Sequence, residues 1–144
     1  MRRIRILEFL ARLEREELDR RRRELAALED RLQAVRACTR QLRDEVPSEI
    51  TAGWNLSGGP APLGRWLAVA HERDRALRRE AETLEARRER AIAEVEARYK
   101  AKRRQELILV RALAELRARA VEREQRELDE LAVLRRAREL DRSP

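Results

Sequence analysis

The sequence holds one cysteine, one histidine and one methionine in 144 residues, and aromatic residues make up only 3% of it. A lone Cys38 excludes an intrachain disulfide and a cysteine-built metal cluster, which suits a reducing cytoplasm, and it reads as an idle thiol. His71 has no cysteine or second histidine to complete a metal site, so it reads as an ordinary residue. So few aromatics argue against a compact globule with a thick core. No run approaches the ~20 apolar residues of a membrane span. The basic start Met1-Arg2-Arg3-Ile4-Arg5 leads into an apolar stretch broken by Glu8 and Arg12, too soon for a signal peptide. Gly58-Gly59-Pro60 reads as a turn and not a phosphate cradle, because no strand precedes it. With no catalytic constellation and no cofactor motif, the chain reads as a non-enzymatic protein that binds other proteins.

Charge is what the sequence has in abundance. Asp, Glu, Lys and Arg make up 44% of it, and together with Ala and Leu they give the usage of long helices and coiled coils. Disorder is the competing reading of such a composition, but the leucines recur at fixed spacing instead of thinning out. The net charge of +7 is the balance of 35 basic and 28 acidic residues. Nearly all the cations are Arg, with Lys100 and Lys102 the lysines, and Glu is interleaved with them almost everywhere. A nucleic-acid surface would instead gather its cations on one face and add stacking aromatics, so no nucleic acid is expected as a partner. Acidic pairs such as Glu16-Glu17 and Asp129-Glu130 read as solvated ion-pair partners on helix surfaces.

The spacing predicts an all-α fold, a long antiparallel two-helix coiled-coil hairpin with unequal arms. Helix one covers about residues 3–46, a Gly- and Pro-rich turn 47–62 and helix two 63–140, followed by a short disordered tail. In the first helix one seam position holds Leu7, Glu14, Arg21, Leu28, Val35 and Leu42, and the other holds Ile4, Ala11, Leu18, Leu25, Leu32, Thr39 and Val46. Glu14 and Arg21 mark a polar stretch where the seam should be loose or wet. All four glycines and three of the four prolines fall between Pro47 and Gly64, which places the reversal there. Trp54 and Trp66 flank that end, either capping it or offering a partner a knob to grip. In the second helix Leu63, Leu67, Ala70, Leu77, Ala81, Leu84 and Ala91 keep the heptad. Ile92, Val95 and Tyr99 then imply a one-step shift of register. Leu109, Leu113, Leu116 and Ala120 carry the seam beyond it, and Leu128, Leu131 and Leu134 call for one further shift.

Folding back at this turn puts Val46 opposite Leu63, Leu28 opposite Ala81 and Ile4 opposite Gln105. At ~1.5 Å per residue the arms span roughly 65 Å and 115 Å. Residues from Glu106 onward then lack an intrachain partner, and they begin with the apolar run Leu107, Ile108, Leu109 and Val110. Exposed leucines at helical spacing are unfavourable in water, so this overhang is expected to be covered by a partner protein, by a second copy, or by a different pairing of the arms.

The segment Arg111–Ala132, and within it Glu124-Gln125-Arg126-Glu127-Leu128-Asp129-Glu130, resembles the E-Q-x-x-L-D-E ending of the flagellar export protein FliJ family. Chain length, the basic start, the break near one third of the chain and the Arg-rich tail Arg135-Arg136-Ala137-Arg138 are also similar to that family's layout. The resemblance implies a cytoplasmic component of the type III export apparatus that meets a membrane-embedded export gate peripherally, at the inner membrane face. Its implied partners are the export ATPase ring, the cytoplasmic domain of the gate protein FlhA, and the chaperones of export substrates. On that footing Glu124, Gln125, Leu128, Asp129 and Glu130 form the signature, Leu109, Leu113 and Leu116 are candidates for the ATPase contact, and Trp66 and Arg73 for the gate contact. The stalk of a virulence-type secretion system, and a basic coiled coil that scaffolds an assembly or binds nucleic acid, stay open as alternatives. The long Gly- and Pro-rich turn departs from a minimal hairpin loop.

Overall fold

The computed structural model describes residues 1–55 and 60–143, leaving aside the side chains of 54, 55, 60 and 61. The fold is all-α, a hairpin of two helices: α1 (Arg2–Asn55, 54 residues) and α2 (Pro60–Asp141, 82 residues). Antiparallel stretches of the two helices pack into two compact units, one formed by Met1–Glu16 with Lys100–Pro144 and the other by Glu17–Tyr99.

The reversal is tighter than the helix breakers suggest. Pro47 does not end α1 but lies inside it, and the expected turn over 47–62 is helical as far as Asn55 and again from Pro60. An interior proline removes one backbone hydrogen bond and crowds the carbonyl a turn earlier, at a cost of about 3 kcal/mol. The ring of Pro47 is on the exposed side, and continuing the helix half-buries Val46, Ile50 and Gly53 on the seam, which offsets that cost. Thr51 Oγ1 also donates to the Pro47 carbonyl at 3.0 Å. Pro60 and Pro62 sit in the first turn of α2, where the missing N–H groups would have had no helical acceptor.

Gly53 has a steric reason to be glycine, since a Cβ there would come within 2.8 Å of Leu63 Cδ1. It lets α1 and α2 approach closely just before the reversal. Gly64, by contrast, has nothing within 4 Å of a built Cβ and carries only the entropic cost of glycine in a helix. Gly64→Ala is therefore expected to raise the unfolding free energy by about 0.5–1 kcal/mol, read from the shift in the urea midpoint.

The seam of α1 falls where the heptad puts it. Every predicted position from Ile4 to Val46 is buried or half-buried, with Ala11, Leu18, Leu32, Val35 and Leu42 fully buried. The pairing, however, lies one heptad later in α2 than a turn at Pro47 requires. Leu63 meets Gly53 and not Val46. Val46 shares a cleft with Leu67 and Ala70, and Ile4 lies beside Ala112 and Leu116 and not Gln105. Moving the midpoint of the reversal by about one helical turn moves the partner of every layer by a heptad.

In the Glu17–Tyr99 unit the core is Leu32, Val35 and Leu84, with Leu28, Leu77 and Ala81 packed against it. Ion pairs fringe it across the helices: Arg36 to Glu85 at 3.0 Å, Arg88 to Glu29 at 3.4 Å and Arg31 to Glu80 at 3.9 Å. The polar stretch of the seam is filled by charges. Arg21 donates to Glu94 at 2.7 Å and to Glu17 at 3.2 Å, and Arg20 donates to Glu17 at 2.7 Å. The hydrogen bond from Arg20, aided by Arg21 and Arg98, holds the Glu17 carboxyl below its ordinary value. Its contribution is thus present above the unfolded pKa and fades as pH falls through the lowered one.

The predicted shift of register at Ile92, Val95 and Tyr99 is absent. From Ala81 the sheltered line of α2 in this unit runs Leu84, Arg88, Ala91, Val95 and Arg98 in the unshifted heptad; Ile92 is half-buried beside it as expected, but Tyr99 is exposed. A search for apolar residues alone misses such a line, because arginine stems cover a seam while their heads reach water or a carboxylate.

Candidate partner-binding surfaces

In the unit of Met1–Glu16 with Lys100–Pro144, Lys102, Gln105, Leu109, Ala112, Leu113 and Leu116 form the sheltered side of α2. Leu116 and Ala112 line a small cleft of ≈ 100 Å³ with Met1 and Ile4. Leu109, Leu113 and Leu116 are accordingly half-buried seam residues, and their assignment to an unpaired overhang is corrected. A turn at Pro47 leaves Glu106 onward unpaired, whereas the observed pairing, one heptad later in α2, carries the seam on to Leu116. Glu106 in fact takes Arg15 from α1 at 3.7 Å and Lys102 at 3.7 Å.

Gln105 brings a buried amide oxygen into this seam with no hydrogen-bond partner among the described residues, on the half-buried side of α2. An unsatisfied buried acceptor costs ~1–3 kcal/mol of desolvation. Gln105→Leu removes that cost at nearly equal volume and is expected to stabilise the chain by about 1 kcal/mol, visible as a higher thermal midpoint.

The arm free of intrachain cover begins after Leu116, and every described residue from Arg117 to Ser143 is exposed. It contains the whole signature segment: Glu124, Gln125, Leu128, Asp129 and Glu130 all lie on the open helix, with Leu128 65% exposed. Val121, Leu131, Val133, Leu134 and Leu140 are open beside them. Trp66 is half-buried and Arg73 exposed, both in the Glu17–Tyr99 unit. The side chain of Trp54 lies outside the described residues.

A further apolar surface escaped the sequence reading. Ile6, Phe9, Leu10 and Leu13 are exposed on α1, and their i, i+3, i+4, i+7 spacing puts them on one helix face. In the same unit Leu107, Ile108 and Val110 are open on α2. The spacing was legible, but a heptad scan assigns apolar residues to the seam and passes over a second stripe. Open leucines and a phenylalanine in one unit make this face a candidate interaction surface.

Near the reversal a broad cleft of ≈ 470 Å³ is lined by Leu42, Val46, Leu67, His71, Asp74 and Arg78. Asp74 forms an ion pair with Arg78 at 3.0 Å through Oδ2, while its Oδ1 is buried with no hydrogen-bond partner among the described residues. Among the described residues no group of His, Cys, Asp or Glu could hold a metal ion, and no helix is long and apolar enough to cross a membrane. Comparisons of the chain with protein-family models, curated proteins and solved structures found no match.

Proposed function

We propose that this chain is a non-enzymatic coiled-coil coupler of a flagellar-type protein export apparatus, binding the export ATPase ring and the cytoplasmic domain of the gate protein FlhA and escorting substrate chaperones. It would act in the cytoplasm, at the inner membrane face. The observation that carries the reading is the exposed helical arm beyond Leu116, which presents the FliJ-like segment Glu124–Glu130 in a form another protein can grip. The open face of Ile6, Phe9, Leu10 and Leu13 in the same unit supports it, because a ring that enclosed the arm would cover that face too. Trp66 and Arg73 remain the candidates for the gate contact.

The test is capture of the purified export ATPase and, separately, of the gate domain by the immobilised chain at low salt. Binding of both supports the reading. Binding of neither abandons it, and capture by virulence-system homologues alone moves the same architecture to that apparatus. Salt-sensitive retention of DNA, with a steep log-log slope, would favour the nucleic-acid alternative instead.

A further inference from the structure

The exposed arm carries its own complement. Glu127, Leu131, Leu134 and Arg138 follow one another at spacings of four, three and four residues, which aligns them along one helix face, and all four are exposed. Read from either end, the line is charge, leucine, leucine, opposite charge. Two such lines brought together antiparallel set Glu127 against Arg138 of the second copy, and Leu131 against its Leu134, twice over by symmetry. In the same register Glu130 comes level with the second copy's Arg135, and at the outer end of the line Glu124 comes level with its Asp141. A parallel pairing buries the same leucines but sets Glu127 on Glu127 and Arg138 on Arg138, which repel.

We infer that this arm is a self-association surface, whose occupant is the arm of a second copy packed antiparallel about a two-fold axis between Ala132 and Val133. Charge complementarity selects both the partner and the direction. The pairing withdraws Leu131 and Leu134, 55% and 56% exposed in the single chain, from water. This inference does not rest on the export reading, and no export protein enters its test.

The experiment is sedimentation equilibrium of the intact chain and three variants at low salt, with circular dichroism confirming equal helix content. The natural chain is expected to dimerise. Glu127→Arg alone and Arg138→Glu alone each oppose like charges twice and should weaken the dimer by on the order of tenfold or more. Mixing those two variants, or combining both substitutions in one chain, re-pairs unlike charges and should restore it. A natural chain that is monomeric at all concentrations overturns the inference. So does a Glu127→Arg or Arg138→Glu chain that dimerises as well as the natural one, or a failure of the combined variant to recover.

Discussion

Leu84→Ala is expected to cost the chain about 3 kcal/mol of stability, within the 2–5 kcal/mol found when a buried leucine is cut back to alanine. Leu84 is 2% exposed and sits against Leu32 and Val35, with Leu28, Leu77 and Ala81 around them. It is one of the few fully buried large side chains among the described residues. A hairpin of two helices has a single seam, so no third element can move in to fill the space. Small domains are stable by only ~5–15 kcal/mol, which makes this one methyl-rich contact a large share of the total. Val69→Ala, at a position 69% exposed on the same helix, should change stability by less than about 0.5 kcal/mol. Urea unfolding followed by circular dichroism reads both, and equal effects would mean that the seam is not where the structure puts it.

Removing the arm should have the opposite character. A chain ending at Leu116 loses only residues that are exposed throughout, so the unfolding free energy of the single chain should stay within about 0.5 kcal/mol of the intact chain's. A chain ending at Gln105 loses in addition Leu109, Ala112 and Leu116, which shelter Ile4 and its neighbours. Burial is worth ~25 cal/mol per Å² of apolar surface, so this second truncation should fray the start of α1 and lower stability by several kcal/mol. Hydrogen exchange would localise the loss to residues near Ile4 and Leu7. If both truncations were equally harmless, the intrachain seam would end near Gln105, as a turn at Pro47 requires.

These expectations differ because the sequence recorded some parts of the structure locally and others not. The α1 seam from Ile4 to Val46 was legible in full, since a heptad is a property of one strand of sequence and needs no knowledge of the partner. The reversal was not legible to the residue. Proline reads as a stop by its missing N–H, and only the burial of Val46, Ile50 and Gly53 against α2 shows why α1 continues through Pro47. Every pairing follows from that point, so an early turn displaced Leu109, Leu113 and Leu116 into an overhang they do not belong to. The polar part of the α2 seam was hidden for a different reason. Arg88, Arg98 and Lys102 take seam positions with their aliphatic stems, and composition records only their charge.

The candidate surface was legible in its distal part. Leu128 and the acidic residues around it are exposed, whereas the stripe of Ile6, Phe9, Leu10 and Leu13 is visible only once the seam is assigned and these four are left over.

The measurement that goes most directly to the proposed coupling role is calorimetric titration of the export ATPase with the intact chain and with the chain ending at Leu116, both confirmed as folded. The account predicts binding by the intact chain and a loss of at least tenfold in affinity on truncation, about 1.4 kcal/mol or more, with the gate domain still bound. Undiminished ATPase binding by the truncated chain would contradict it and would place the contact on the body of the hairpin instead of the arm.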